Sequence, residues 1–392
     1  MTTKTKSSKA LAALTQAALA LPGAAMAAEI QSDYLFSYYK EGDISGSNKM
    51  PGAGSSSRYE IYSHMFRVVA PQEGDRAIGV NLTYETMSGA SPWYIAPDAN
   101  GKPLVAMSGA SIREERVDVQ GTYSLPIAPF QTAFSLGYST EDDYEAINAG
   151  VELELEDERT GITWTGGLGY SDDTLKPTQG STPVSTTKDD KRSITVFGGA
   201  AMVLNANTTV QGSISYQNHD GFLSDPYKLA SVGGTLVADS RPDSRQSVSF
   251  SGKLRHYLQQ HNGALHLDYR YFRDDWEIDA HTVEVAFAKV LPDNVRLTPS
   301  LRWYSQSQAD FYAPFYAGAR GDGYASSDYR LSPYGALSAR VDLSKAIGPW
   351  AIGGGAEYYK ASKDFALKKV DVENPALIDY WSIQFRLTCR FE

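Results

Sequence analysis

Asp279 and His281 come nearest, by type and spacing, to a pair that could do acid–base chemistry. They stand two apart behind Asp274-Asp275, so in an extended segment they share one face. A carboxylate and an imidazole placed together can activate water, provided both reach the reacting atoms. His256, with serines nearby, is a second hydrolase-like candidate, although no fixed spacing supports it. His261 and His266 are scattered across a turn and form no metal-ligand pattern. The acid pairs Asp142-Asp143, Asp172-Asp173 and Asp189-Asp190 fall at expected loop tips, where divalent cations could meet them. The spacing of a calcium loop is absent, so solvated loops are the simpler reading. Cys389 is the single cysteine, which excludes an intramolecular disulfide and a cysteine metal cluster. No metal site and no cofactor are expected.

A larger set of charged side chains recurs with a period of two. In the second half of the chain it comprises Lys253, Arg255, Arg270, Arg296, Arg302, Arg330, Arg340, Arg386 and Arg390; in the first half, Glu85, Asp118, Glu152 and Glu154. Residues spaced by two lie on one face of a strand. If the strands close into a ring, a basic wall faces a more acidic one, and opposed walls orient water and polar solutes crossing a pore. The alternative is that these charges pair with one another inside a closed lumen.

The elements that must position these side chains are strands. From Leu377 to Glu392, Trp381, Ile383, Phe385, Leu387, Cys389 and Phe391 alternate with Tyr380, Ser382, Gln384, Arg386, Thr388 and Arg390. Such a strand is oily on one side and wet on the other. Similar alternation recurs from Ile30 onward, for example Ile147 to Leu155 against Asn148 to Glu154, and Leu265 to Tyr271 against His266 to Arg270. It predicts about sixteen strands of ten or more residues, the length of a tilted membrane strand and longer than a sandwich strand. One end is predicted to carry tight turns such as Pro71 to Gly74 and Pro292-Asp293-Asn294. The other carries long loops, such as Ser88 to Ile112, Asn218 to Ser240 and Ser307 to Asp328. Long and short connections on opposite ends are the pattern of an all-β, up-and-down, antiparallel transmembrane barrel over residues 28–392. Tyr84, Tyr123, Tyr138, Trp164, Tyr170, Trp303, Trp350 and Trp381 would supply its aromatic girdles. The parity of His281 matches Val283 and Val285. The Asp279/His281 pair is similar to the acid–base pair of omptin-type barrel proteases, yet that parity turns it towards lipid or headgroups.

Lys4, Lys6 and Lys9, the run Ala10 to Leu21 and the small residues Ala25-Met26-Ala27 read as a secretory signal peptide over residues 1–27. The formal charge of -10 argues against nucleic acid as a partner. These features place the barrel in the outer membrane of a Gram-negative bacterium. An even strand number puts both termini in the periplasm. The expected partners are the lipid bilayer, lipopolysaccharide, the barrel-assembly machinery and small polar solutes.

Four segments carry a family resemblance: Ser88 to Tyr94, Asp220 to Lys228, Arg241 to Gln246 and Tyr269 to Trp276. Together they resemble the bacterial outer-membrane family catalogued as domain of unknown function 3570. The resemblance spans nearly the whole mature chain and implies a barrel without an assigned catalytic residue. Members are often encoded near thioredoxin-like and flavin-transferase proteins, which implies a link to a periplasmic redox or maturation system. The leading expectation is porin-like passage of small polar or charged solutes. A binding or scaffold barrel is the alternative, with Ser91, Trp93, Tyr94, Asp225, Tyr227, Arg241 and Arg245 as external-loop contacts; a barrel hydrolase comes third. Phe391 resembles the terminal aromatic of the outer-membrane assembly signal, although Glu392 follows it.

Overall fold

The computed structural model describes residues 29–108, 112–178 and 184–391. The segment 1–27, expected to be a signal peptide, lies outside them. In the first half of the chain the strands are β1 (Ile30–Glu41), β2 (Glu60–Gln72), β3 (Arg76–Gly89), β4 (Pro92–Pro97), β5 (Pro103–Met107), β6 (Ile112–Ile127), β7 (Phe130–Thr140), β8 (Tyr144–Asp157), β9 (Ile162–Leu175) and β10 (Asp189–Asn205). In the second half they are β11 (Thr208–Gly221), β12 (Leu229–Val232), β13 (Thr235–Ala238), β14 (Ser244–Leu258), β15 (Gly263–Asp274), β16 (Asp279–Val290), β17 (Val295–Gln306), β18 (Tyr334–Ile347), β19 (Trp350–Ser362) and β20 (Asp379–Phe391). Four of them, β4, β5, β12 and β13, form two small hairpins; the other sixteen close into one antiparallel barrel.

Closure runs between the first and last strands. Tyr34 pairs with Leu387, Phe36 with Phe385 and Tyr38 with Ile383, so β20 seals against β1 where its alternation predicts. All barrel neighbours are consecutive strands apart from the two hairpin insertions, which is an up-and-down meander. Tight turns sit at one end. At Gly74, φ is +73°, and at Gly161 it is +66°, values that a side chain tolerates poorly. The β16–β17 ladder skips its pairs opposite Thr298 and Pro299, where proline has no N–H to offer.

The pleat sorts the residues into two surfaces. Outward-facing Phe66, Leu136, Ile147, Leu168, Ile214, Phe250, Leu301 and Val341 are exposed large hydrophobics. Such a belt, too extensive for a water-facing surface, fits hydrocarbon. Aromatic rims bound it: Tyr62, Tyr84, Tyr138 and Trp381 towards the loop end, and Tyr123, Trp164, Tyr257 and Trp350 towards the turn end. Trp303 also faces outward but is half-covered, because its indole N–H donates to the Phe365 carbonyl at 2.9 Å. There the segment between β19 and β20 folds back over the outer wall. Among the described residues no helix is long and apolar enough to cross a membrane.

The buried hydrophobic clusters belong to the loop end, not to the barrel's middle. One holds Leu223, Trp276, Ile278, Ala309, Phe311, Tyr312 and Leu331. Another holds Ile44, Ala90, Ile95, Val105, Met107 and Ala376, and a third Tyr39, Tyr59, Ile61 and Met87. The long loops and both hairpins therefore build a lid with its own small core, drawn into the barrel mouth.

Candidate functional site

The site is the lumen together with that lid. Cross-strand register settles which charged residues share the inner face. On β14 and β15, Lys253 pairs with Asp268 and Arg270 with Ser251. On β16 to β19, Glu284 pairs with Arg302, and Arg340 with Ser300 and Glu357. Arg386 pairs with Leu35 and Gly353, and Arg390 with Gln31. In the first half, Asp118 pairs with Thr83 and Ser139, Glu85 with Arg116, Glu152 with Ala133 and Gly167, and Glu154 with Gln131 and Thr165. Each of these residues lies on the same inward row.

Two parts of the two-wall expectation need correction. Arg330 is not on a wall strand: it lies in the turn Tyr329–Leu331, and β18 starts only at Tyr334. Ser332-Pro333 ends that loop segment, since proline cannot donate to the ladder. The second correction concerns sign. The basic wall is interleaved with acids, and Arg255 forms an ion pair with Asp268, and Arg340 with Asp342 at 2.6 Å. On the acidic wall, Arg116 holds Glu85 at 3.1 Å and Asp118 at 3.3 Å. The charges left over are fewer and better separated. Among the described residues, Glu152, Glu154 and Glu156 on β8 make no ion pair, and neither do Lys253, Arg296, Arg302 and Arg386 on β14, β17 and β20. Around the ring, β8 and β18 stand opposite, with β17 beside β18.

Solvent access divides the lumen along its length. Towards the turn end, Lys253, Arg296, Arg386, Arg390 and Glu156 are exposed. Towards the loop end, Tyr39, Glu41, Ser63, Glu85 and Met87 are buried under the lid. The lid is tied by charged groups, the innermost of them fully buried. Arg241 donates to Asp239 at 2.7 Å and to Asp328 at 2.9 Å, with all three side chains buried. Arg330 holds Asp328 and, at 3.0 Å, Asp225. Lys228 donates to the Pro92 carbonyl at 2.7 Å and so joins β12's hairpin segment to β4. On the other side, Arg58 meets Glu41 at 2.5 Å and the Ala376 carbonyl at 2.9 Å.

These environments shift the lid's ionisations. Burial alone would raise Asp328, but the Arg330, Lys228 and Arg241 charges overrule it and hold the carboxyl well below the ordinary range. For Lys228 burial wins, and the ammonium is pushed down despite Asp328 and Asp225. Burial raises the Tyr329 phenol to about 12, helped by Glu41.

The external-loop set also needs correction. Ser91, Tyr227 and Arg241 are buried in the lid, Asp225 is tied to Arg330, and Arg245 is held by Asp274 at 2.5 Å. Trp93 and Tyr94 are half-buried and pack edge to face at 5.1 Å. Apart from Arg245, which belongs to wall strand β14, these residues are parts of the lid's framework. The expected solvated acid tips are different again. Asp143 and Asp173 are buried, and Asp172, Asp173, Asp189 and Asp190 belong to strands β9 and β10. Carboxylate oxygens of Glu114, Glu141 and Asp143 lie within 4.8 Å of one another, a grouping whose members are too far apart in sequence to stand out by spacing.

His281 faces outward as its parity predicts, and its Nδ1 lies 2.9 Å from the Tyr269 hydroxyl. Asp279 accepts from the Tyr271 hydroxyl at 2.6 Å. Each is thus engaged with a tyrosine. Both line an outer-wall cleft of about 750 Å³, roofed by Leu367 to Val372. His256 bonds Thr208 at 2.9 Å.

This architecture defines an outer-membrane-type β-barrel with a charged lumen. The chain belongs to the family described as Protein of unknown function (DUF3570), whose model matches residues 11–373. No curated protein matches it. Among solved structures, CdiB from Acinetobacter baumannii is similar at a TM-score of 0.51 and 8% identity, covering 93% of this chain and 60% of its own. A bacterial polysaccharide outer membrane secretin is similar at 0.50 and 9%, covering 93% of this chain and 99% of its own. A variant of the ferric enterobactin receptor PfeA from Pseudomonas aeruginosa is similar at 0.48 and 11%, with 91% of this chain but 59% of the receptor covered. The chain thus spans less than two thirds of that receptor. At these identities the likeness is one of fold.

Proposed function

We propose that this protein is a porin-like conduit of the outer membrane for small polar or charged solutes, with its loop-end mouth closed by a latched lid. The observation that carries the proposal is the separation, across the lumen, of charges that form no close ion pair. Glu152, Glu154 and Glu156 stand on β8, while Arg302 stands on β17 and Arg386 on β20. A lumen serving only as filler would neutralise such charges in pairs, because an unpaired charge in a poorly solvated space is costly. Kept apart across water, they impose a transverse field on passing solutes. A barrel of sixteen strands is wide enough for an aqueous channel. In this reading the turn end faces the periplasm, and the lid faces outward beside lipopolysaccharide.

Single-channel recording in a planar bilayer tests the proposal. Stepwise conductance supports it, and a persistently silent barrel, also after the lid is released, defeats it.

A further inference from the structure

Beneath the lid, the wall carries a pocket of about 240 Å³. Arg245 of β14, Arg270 of β15 and Arg330 of the lid converge on it, beside Phe272, Ile278 and Tyr304. No acidic residue lines it. Three guanidiniums around a space without a carboxylate is an unusual composition, and their commitments differ. Arg245 holds Asp274 at 2.5 Å and lies over the Trp276 ring at 4.6 Å. Arg330 is engaged with Asp328 and Asp225. Arg270 donates to the Ser249 hydroxyl at 2.9 Å and lies 5.9 Å from the centre of the Phe272 ring. Among the described residues it makes no ion pair. The nearest inward acids along its own and the adjoining strand are Asp268, already held by Arg255, and Glu284, which stands across from Arg302.

We infer that this pocket binds a small organic oxyanion, a short carbon chain bearing carboxylate or phosphate, with Arg270 as its principal anchor. The guanidinium fork of Arg270 matches the two oxygens of such a group, and the ring of Phe272 restricts where the fork points. Phe272, Ile278 and Ala280 supply an apolar side against which a carbon skeleton can lie. The volume is below the usual range for drug-sized ligands, which suits a solute of a few heavy atoms. Because Arg330 belongs to the lid and Arg270 to the wall, an occupant places negative charge between the two. The inference rests on the conduit reading for the route by which the solute arrives.

Isothermal titration of the detergent-solubilised protein tests it, with succinate as the probe and inorganic phosphate as a second arm. Saturable one-to-one succinate binding is expected. Arg270→Gln should weaken it about ten- to a hundredfold, the size of a lost charge-assisted hydrogen-bond pair. Arg270→Lys should fall between, and Arg67→Gln, elsewhere on the inner face, should bind as the parent does. Equal affinity for inorganic phosphate would overturn the role given to the apolar side. Absence of binding, or undiminished binding by Arg270→Gln, would overturn the site. Conductance recorded on the same preparations separates the two readings. Succinate binding to a silent barrel leaves the site standing without the conduit, and conductance without succinate binding does the reverse.

Discussion

Arg241 and Asp328 meet at 2.9 Å inside the lid, 87 residues apart in the chain, with 2% and 0% of their side chains exposed. Asp239, Arg330, Asp225 and Lys228 surround the pair, so Asp328 is shared by Arg241 and Arg330 while each arginine also holds a second carboxylate. A pair like this contributes little net stability against a hydrophobic replacement, but removing one member strands the other.

Asp328→Asn should therefore destabilise the lid by about 3–5 kcal/mol while leaving the barrel closed. Arg241 would remain buried, and Arg330 partly covered, with one carboxylate fewer. The expected outcome is rapid protease cleavage within residues 307–333 at unchanged barrel thermal stability. A variant cleaved as slowly as the parent would remove the latch.

The latch should also depend on pH. Asp328 is held well below an unfolded carboxyl, whose ordinary value is about 3.9. A group with a lowered folded pKa contributes stability that is complete above its unfolded value and is lost as pH falls through the folded one. The lid should thus stay closed at neutral pH and loosen only below about pH 4. Trp276 fluorescence followed from pH 7 to pH 2 should report the opening. Asp328→Asn should lack the acid-induced change assigned to this carboxylate.

Leu301 faces outward at mid-strand and is 67% exposed in the isolated chain, while its neighbour Ser300 faces the lumen. If hydrocarbon surrounds the belt, Leu301→Arg should cost about 2–4 kcal/mol of folding free energy in a bilayer. Ser300→Arg, on the wet side, should cost far less. Urea unfolding in lipid vesicles compares the two, and equal costs would contradict the assigned faces.

The β1–β20 seam ends at the pair Ile30 and Phe391. If Phe391 serves as the assembly signal it resembles, its role falls before folding, when strand β20 is recognised. Removing Phe391 and Glu392 should reduce the amount of protein inserted in the outer membrane of an expressing cell, measured as heat-modifiable barrel. Normal insertion of the shortened chain would withdraw that role.

The barrel was legible because a strand's side chains alternate, and Trp381 to Phe391 or Val283 to Phe287 display that period directly. The even strand number followed from turns whose residue types are restrictive. Arg330-Leu331 misled, because their parity continues into β18; Pro333 was the available signal that the ladder starts later. The mixed sign of the basic wall was also within reach, since Asp268, Glu284, Asp342 and Glu357 share the inward parity. The lid was not. Its joints, such as Arg241 with Asp328 and Arg330 with Asp225, link loops far apart in sequence and obey no period. Tyr227 is buried through a joint of the same long-range kind, its hydroxyl donating to Asp143 from 84 residues away, which is why a residue expected at a contact surface lies within the lid.

The central claim is that unpaired charges across the lumen act on solutes passing through it. Reversal potential in a planar bilayer under a salt gradient measures this most directly, with the lid released by Asp328→Asn in every variant. Arg302→Glu should shift selectivity towards cations, and Glu152→Gln with Glu154→Gln should shift it towards anions. Conductance with an unchanged reversal potential in both variants would contradict the account.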